Sequence, residues 1–109
     1  MTTLKLFLWD VETDEEISGD TPLEASPKLA IEKLQALSKE DGSFIGFELD
    51  NGSIVQFMWD DEEILNLDIP SPNGGYEKVV SLSEAENIVE RLFTGLNPKA
   101  IEGIKFEEY

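Results

Sequence analysis

Neither cysteine nor histidine occurs anywhere in this chain of 109 residues. Without histidine, Ser-His-Asp and Cys-His nucleophilic sites, histidine-liganded zinc and a histidine general base cannot be built from this chain alone. Most enzymes need a side chain poised near neutrality. Only a perturbed carboxylate or lysine could serve here, and the chain reads as a non-enzyme with no cofactor or metal. The absence of cysteine leaves the redox compartment unread, and a cytoplasmic location is the default expectation. No apolar run approaches the ~20 residues needed to cross a bilayer, and no basic segment followed by an apolar stretch marks a signal peptide. Bases are scarce: 8 Lys and Arg stand against 24 Asp and Glu, for a net charge of −16. Such a surface is repelled by anionic membranes and by nucleic acid, so neither is expected as a direct partner.

The acids that are present are not scattered. Residues 10–24 hold seven (Asp10, Glu12, Asp14, Glu15, Glu16, Asp20, Glu24) and residues 40–77 ten more (Glu40, Asp41, Glu48, Asp50, Asp60, Asp61, Glu62, Glu63, Asp68, Glu77), with no base in either stretch. The remainder carries seven acids against eight bases. Self-repulsion of this kind works against compactness. Solubility alone would be met by dispersed acids, so a concentrated field points to a cationic protein partner. A hydrophobic content of 40% with ten aromatics is enough for a core, which separates the chain from acidic disorder. Residues 1–109 form one domain, which buries on folding roughly 65% of the surface its unfolded chain exposes.

Thr3 to Trp9 alternates, with Leu4, Leu6 and Leu8 on one side and Lys5, Phe7 and Trp9 on the other, and reads as a strand. Residues 10–25 are polar and read as a long loop. Ser26-Pro27 starts a helix over about 27–40, carrying Ala30, Ile31, Leu34 and Leu37 at helical spacing, with Gly42 as its left-handed stop. Asp50-Asn51-Gly52-Ser53 between two β-rich runs signals a two-residue hairpin turn. In that register Leu49 faces Ile54, Phe47 faces Gln56 and Ile45 faces Met58. Ile45, Phe47, Leu49, Ile54 and Met58 would then share the core face, and Phe44, Gly46, Glu48, Val55, Phe57 and Trp59 the other. A third strand runs from Ile64 to Ile69, and Asn73-Gly74-Gly75 breaks the chain before a fourth, Tyr76 to Val80. Ser81-Leu82-Ser83-Glu84 is a capping box, opening a helix with Ala85, Ile88, Val89, Leu92 and Phe93 that ends at Gly95. Ala100 to Tyr109 alternates as an edge strand would, with disorder as the alternative. The expected fold is α+β: a mainly antiparallel sheet of about 4–6 strands with two helices on one face, in the order β-α-β-β-β-β-α-β.

Few constellations carry chemistry. Asp10, Glu12 and Asp14 fill positions 1, 3 and 5 of a calcium loop, but position 6 is Glu15 instead of glycine and position 12 is Thr21 instead of glutamate. Nothing singles out two carboxylates as a glycosidase pair. Asn73-Gly74-Gly75 lacks the lysine and the following helix of a phosphate loop. Trp9, Phe44, Phe57 and Trp59 share the second sheet face in the expected register. They form either a second layer of core or an exposed aromatic platform ringed by Glu48, Asp60, Asp61 and Asp68, with an apolar centre and charged rim as in specific interfaces.

Leu82-Ser83-Glu84-Ala85, a helix to Phe93, then Gly95, Pro98, Ile101 and the closing aromatic Phe106 resemble the C-terminal pattern of Imm1-type immunity proteins. The chain departs from that pattern in carrying Phe106 where tryptophan is commoner, and the resemblance covers about 30 residues. It implies a small bacterial cytoplasmic protein that neutralises a polymorphic toxin by binding it. The family's contact residues vary with the toxin, so none carries over. Residues and resemblance together lead to an immunity- or antitoxin-type inhibitor that occludes a basic surface of its partner. The expected contacts are Trp59 as a desolvated anchor with Asp60, Asp61, Glu62, Glu63 and Asp68, supported by Glu48 and Asp50, and a second group of Asp14, Glu15 and Glu16. The alternatives are a nucleic-acid mimic that inhibits a nuclease, of anti-restriction or anti-CRISPR type, and a general interaction module.

Overall fold

Strict alternation of leucine with Lys5, Phe7 and Trp9 makes β1 (Leu4–Trp9) a strand with one buried face, and the same two-residue period recurs across the domain. The computed structural model describes residues 4–108. Thr3 and Tyr109, the outer ends of two expected strands, lie outside them. After β1 come β2 (Glu16–Ile17), β3 (Leu23–Ala25), α1 (Pro27–Ala36), β4 (Phe44–Glu48), β5 (Ile54–Trp59), β6 (Leu65–Ser71), β7 (Gly74–Val80), α2 (Leu82–Leu92), a 3-10 turn (Pro98–Ala100) and β8 (Lys105–Glu108). All eight strands join one antiparallel sheet in the order β2-β1-β4-β5-β6-β7-β8, with β3 also paired to β1. The α+β class is as expected, and the sheet is larger than the 4–6 strands expected. The additional strands, β2 and β3, come from the 10–25 segment that reads as a loop. Each is too short to carry a period of its own and is ordered by pairing with β1.

Both helices cover one face of the sheet. Ala30 and Leu34 of α1 and Ala85, Ile88, Val89 and Leu92 of α2 enter a single core with Leu4, Leu6, Leu8, Ile45, Phe47, Val55, Phe57, Leu65, Leu67 and Ile69. Ser26 and Ser81 cap the helices by accepting from the backbone N–H of Leu29 and Glu84. The reciprocal half of the capping box is not made, because the Glu84 carboxylate pairs with Lys78 instead. α1 stops at Ala36, short of the expected 40. Leu37 turns extended into the core, and Ser38 donates from its N–H and hydroxyl to Asp10. Gly42 is therefore no helix stop; at φ +92 it serves the turn closed by Ser43 N–H to Glu40 O. α2 does end as expected, with Gly95 at φ +95 and Leu96 N–H bonded back to Arg91 O.

The β4–β5 hairpin departs from expectation by one residue. Leu49 pairs with Ser53 across a three-residue loop, Asp50-Asn51-Gly52, in which Gly52 alone has positive φ. That loop needs one left-handed residue, whereas the two-residue type I′ turn would put Asn51 there too. In the observed register Ile45 faces Phe57 and Phe47 faces Val55. The core side of β5 is Val55, Phe57 and Trp59, in place of Ile54, Gln56 and Met58. A slip of one residue exchanges the two faces, and the alternative would bury the Gln56 amide while exposing the largest aromatic of the strand. Ile45 and Phe47 are in the core as expected; Leu49 is half-buried, and Ile54 and Met58 are on the open face.

β6 and β7 also run further than their sequence suggests, pairing Pro70 with Gly75 and Ser71 with Gly74. Gly74 and Gly75 are thus strand residues, not a break. At Gly74 an added Cβ would lie 2.1 Å from the Glu107 carbonyl oxygen. The obstacle is main chain of β8, so it has no rotamer by which to yield. Gly74→Ala should cost about 1–3 kcal/mol, as overpacking does, and should act locally. In hydrogen exchange the β8 amides should lose protection while β1, β4 and β5 keep theirs; uniform loss across the sheet would contradict this.

Candidate partner-binding surface

Because neighbouring strands are antiparallel, the end of β1, the start of β4, the end of β5 and the start of β6 lie at the same end of the sheet. The segments 10–15, 37–43 and 60–64 therefore meet there. Gly42 N–H donates to Trp59 O at 2.9 Å, Trp59 N–H to Ser43 O at 3.0 Å, and Val11 N–H to Ser43 Oγ at 2.9 Å. The centre of this junction is Asp10, only 2% exposed. Its Oδ1 accepts from Glu12 N–H, Thr13 N–H and Ser38 Oγ at 3.0, 3.1 and 2.6 Å, and its Oδ2 from Ser38 N–H at 2.9 Å. Burial alone would push its pKa up. The hydrogen bonds from the Ser38 side chain and from the Ser38, Thr13 and Glu12 backbone outweigh it and hold Asp10 below its ordinary 3.8. The carboxylate that heads the calcium-like spacing is thus turned inward onto backbone donors.

Asp60 does the same for the β5–β6 turn. Its Oδ1 accepts from Glu62 N–H at 2.9 Å and Ile64 N–H at 3.0 Å, and Asn66 Nδ2 reaches its Oδ2 at 3.4 Å. The backbone bonds from Ile64 and Glu62 lower its pKa despite an opposing desolvation. With Asp60 and Asp10 engaged in this way, Asp61, Glu62, Glu63, Glu12, Asp14, Glu15, Glu16, Glu40 and Asp41 remain as exposed carboxylates of one end of the sheet. Lys33, bound to Glu15 at 2.8 Å, and Lys39, 5.4 Å from the Trp59 ring, are the bases beside them. Two of the acids are held in left-handed backbone, Asp14 at φ +62 and Glu63 at φ +56. Glu63 occupies the position that Gly52 fills in the β4–β5 hairpin, where a non-glycine residue costs about 1–2 kcal/mol. Strain of this kind clusters at functional sites.

The sheet face away from the helices is open. One cross-strand row on it runs Trp9, Phe44, Met58, Asn66, Val79, in register from β1 through β4, β5 and β6 to β7. Trp9, Met58 and Val79 in that row are 42%, 46% and 61% exposed. It borders the acidic end directly: Glu16 pairs with Trp9 at one extreme, and the 60–64 turn follows Met58 by one residue. The next row is Phe7, Gly46, Gln56, Asp68, Glu77, Lys105. Here the Phe7 ring lies on Gly46, where a Cβ would stand 2.2 Å from Phe7 Cζ, and meets Phe44 edge-on at 6.3 Å.

The expected contact residues separate accordingly. Trp59 is 5% exposed and belongs to the core under the helices, so it is not an anchor; the shifted register puts it there, and Phe57 with it. Asp61, Glu62 and Glu63 lie at the same end of the sheet as Asp14, Glu15 and Glu16, with the 38–43 segment between them, although the sequence separates the two groups by more than forty residues. Asp60 stands among them but spends its carboxylate internally. Asp68 faces outward on the open sheet, bound by Gln56 at 3.1 Å. Glu48 pairs in register with Lys5, and Asp50 is at the opposite hairpin tip. Met58, Val79, Gln56 and Asn66 are surface residues absent from the expected set. Gln56 was their signal, since a lone amide in the Ile54–Trp59 run marks the solvent side and takes Met58 with it.

Elsewhere, a hollow of about 710 Å³ lies between the β4–β5 tip and the end of α2, lined by residues such as Leu49, Asp50, Phe93 and Asn97, and Asp50 is the one ionisable side chain in its lining. Among the described residues no group of three or more Asp or Glu is placed to hold a metal ion, and no helix is long and apolar enough to cross a membrane. Compared with protein-family models, curated proteins and solved structures, the chain has no significant match.

Two outcomes follow from this geometry. Asp10→Asn should cost about 1–3 kcal/mol in urea unfolding at pH 7, because buried donors lose their charged acceptor. A lowered native pKa supplies stability above the unfolded value of 3.8 and forfeits it as pH falls through the native value. The gap between wild type and variant should therefore close below about pH 4, and a gap constant from pH 7 to pH 3 would contradict the assignment. Glu63→Gly should raise stability by about 1 kcal/mol by relieving the left-handed strain, read as a higher urea midpoint at unchanged slope.

Proposed function

We propose that this chain is a non-catalytic, immunity- or antitoxin-type inhibitor that occludes a basic surface of a cognate toxin. The observation that carries this reading is the convergence of the 10–16, 40–41 and 60–63 carboxylates at one end of the sheet, beside an uncovered apolar row. An acidic field accelerates encounter with a cationic protein, to about 10⁸–10⁹ M⁻¹s⁻¹ at low salt. An apolar patch with a charged rim supplies the desolvated contact that steering alone does not. Retaining Glu63 where glycine would relieve strain fits a surface kept for its charge at a cost in stability. The C-terminal resemblance to Imm1-type immunity proteins supports the same role, and with it a cytoplasmic site of action.

The test is co-expression with a toxic domain encoded beside this chain. Growth should be restored, and the purified pair should form a stoichiometric complex. Asp61→Lys with Glu62→Lys should slow association at low salt by at least about tenfold and flatten its salt dependence, while dissociation changes less. Absence of a complex, or association kinetics unaltered in the double variant, would overturn the proposal. Inhibition of several unrelated DNA-binding proteins would assign the acids to nucleic-acid mimicry instead.

A further inference from the structure

The steering acids leave unexplained why the open face beside them is both apolar and locally frustrated. Trp9, Phe44, Met58 and Val79 extend over four strand spacings, about 19 Å at roughly 4.8 Å per strand; Trp9, Met58 and Val79 are exposed, and Phe44 is half-buried beside Phe7. In the adjoining row Asp68 and Glu77 stand directly opposite one another. Like charges in that relation destabilise a sheet, and the one base in the row, Lys105, faces Glu77 from β8 without forming an ion pair with it. Gln56 donates to one oxygen of Asp68, and among the described residues the ion pairs are Lys33–Glu15 and Lys78–Glu84, neither involving this pair. Between the two carboxylates lies a hollow of about 250 Å³ lined by Gln56, Met58, Asn66, Leu67, Asp68 and Glu77. That is below the roughly 300–1,000 Å³ of small-molecule sites, and suits one long side chain.

We propose that the open sheet face docks an apolar–basic segment of the cationic partner, with one of its arginine side chains inserted between Asp68 and Glu77. This rests on the reading above, and specifies how the partner is held once steered. The aliphatic stem lies along Met58. The planar guanidinium bridges two carboxylates that a point-charged ammonium can serve only singly, and the segment's apolar side chains cover Trp9, Phe44 and Val79. The choice of occupant follows from charge. A second copy would bring the acids of both chains together, at a net −16 each, and an apolar partner would leave the carboxylate pair desolvated and unpaired.

Titrations of acetyl-Leu-Arg-amide, acetyl-Ser-Arg-amide and acetyl-Leu-Lys-amide, followed by NMR of the full chain, test this. Acetyl-Leu-Arg-amide should shift the Met58 methyl, the Gln56 and Asn66 side-chain amides and the Trp9 indole, leaving the buried Trp59 indole in place. It should bind more tightly than either of the other two. Asp68→Asn with Glu77→Gln should weaken it by about tenfold, equivalent to about 1.4 kcal/mol, while Asp61→Asn with Glu62→Gln should not. Removing like charges from facing positions gives the first double variant no reason to misfold, and the same spectra verify its fold. Shifts centred on the 60–64 turn, equal binding of the arginine and lysine dipeptides, or undiminished affinity in Asp68→Asn/Glu77→Gln would overturn the proposal. Concentration-dependent shifts of Trp9, Met58 and Val79 without any dipeptide would do so too, by giving the face to a second copy. The two proposals fail separately. Rescue from the toxin by Asp68→Asn/Glu77→Gln at full strength removes only the arginine pocket, whereas dipeptide binding without rescue by the wild-type chain removes only the inhibitor role.

Discussion

Side chains on a strand alternate with period two, so the pairing of β4 with β5 at Ile45↔Phe57 decides which half of β5 enters the core. Everything on the open face depends on that choice. With Val55, Phe57 and Trp59 under the helices, Gln56 and Met58 are turned out, and Met58 completes the row from Trp9 to Val79. Gln56 is thereby within reach of Asp68. The register is secured at both ends of the hairpin. Gly52 supplies the left-handed residue of the three-residue loop, and the Trp59 main chain is tied to Gly42 and Ser43. Core burial supplies the energy, at roughly 25 cal/mol per Å² of apolar surface, because a large aromatic enters in exchange for an amide.

At the far end of that hairpin the acidic loops are kept in order by their own carboxylates. Asp10 and Asp60 each collect backbone N–H groups of the turn they begin, and Asp10 also draws in Ser38 across the chain. A protein with this net charge has reason to unfold locally where acids crowd. Two of the acids are instead used as acceptors that fix the loops, and the rest are presented to solvent. The result is a field of definite shape that abuts an apolar row, and the proposed binding of a cationic partner rests on that combination. The same surface holds two destabilising features, the left-handed backbone of Glu63 and the facing Asp68 and Glu77.

Much of the architecture was legible from pattern. The leucines of β1, the serine caps of both helices and the Gly95 stop carry local signals strong enough to survive in the folded domain, and of the strand expected over Ala100 to Tyr109 only Lys105–Glu108 forms one among the described residues. The failures have specific physical sources. α1 ends early because Asp10, distant in sequence, recruits Ser38. β2 and β3 lack a periodic signal because they are held by β1 alone. Pro70 and the Gly74-Gly75 pair look like breakers. A proline is tolerated within β6, and glycine is required where β8 passes so close to Gly74.

The candidate surface divides along the same line. Charge is a property of composition, so the sequence alone determined the net charge of −16 and which loops would carry the acids. Contact is a property of position. Only the tertiary structure decided that Trp59 would be core and Met58 surface, that residues 10–16 would share an end of the sheet with residues 60–63, and that Asp68 would face Glu77. These depend on strand register and on the order of strands in the sheet, which are set by the burial of the whole domain and not by any local run of residues.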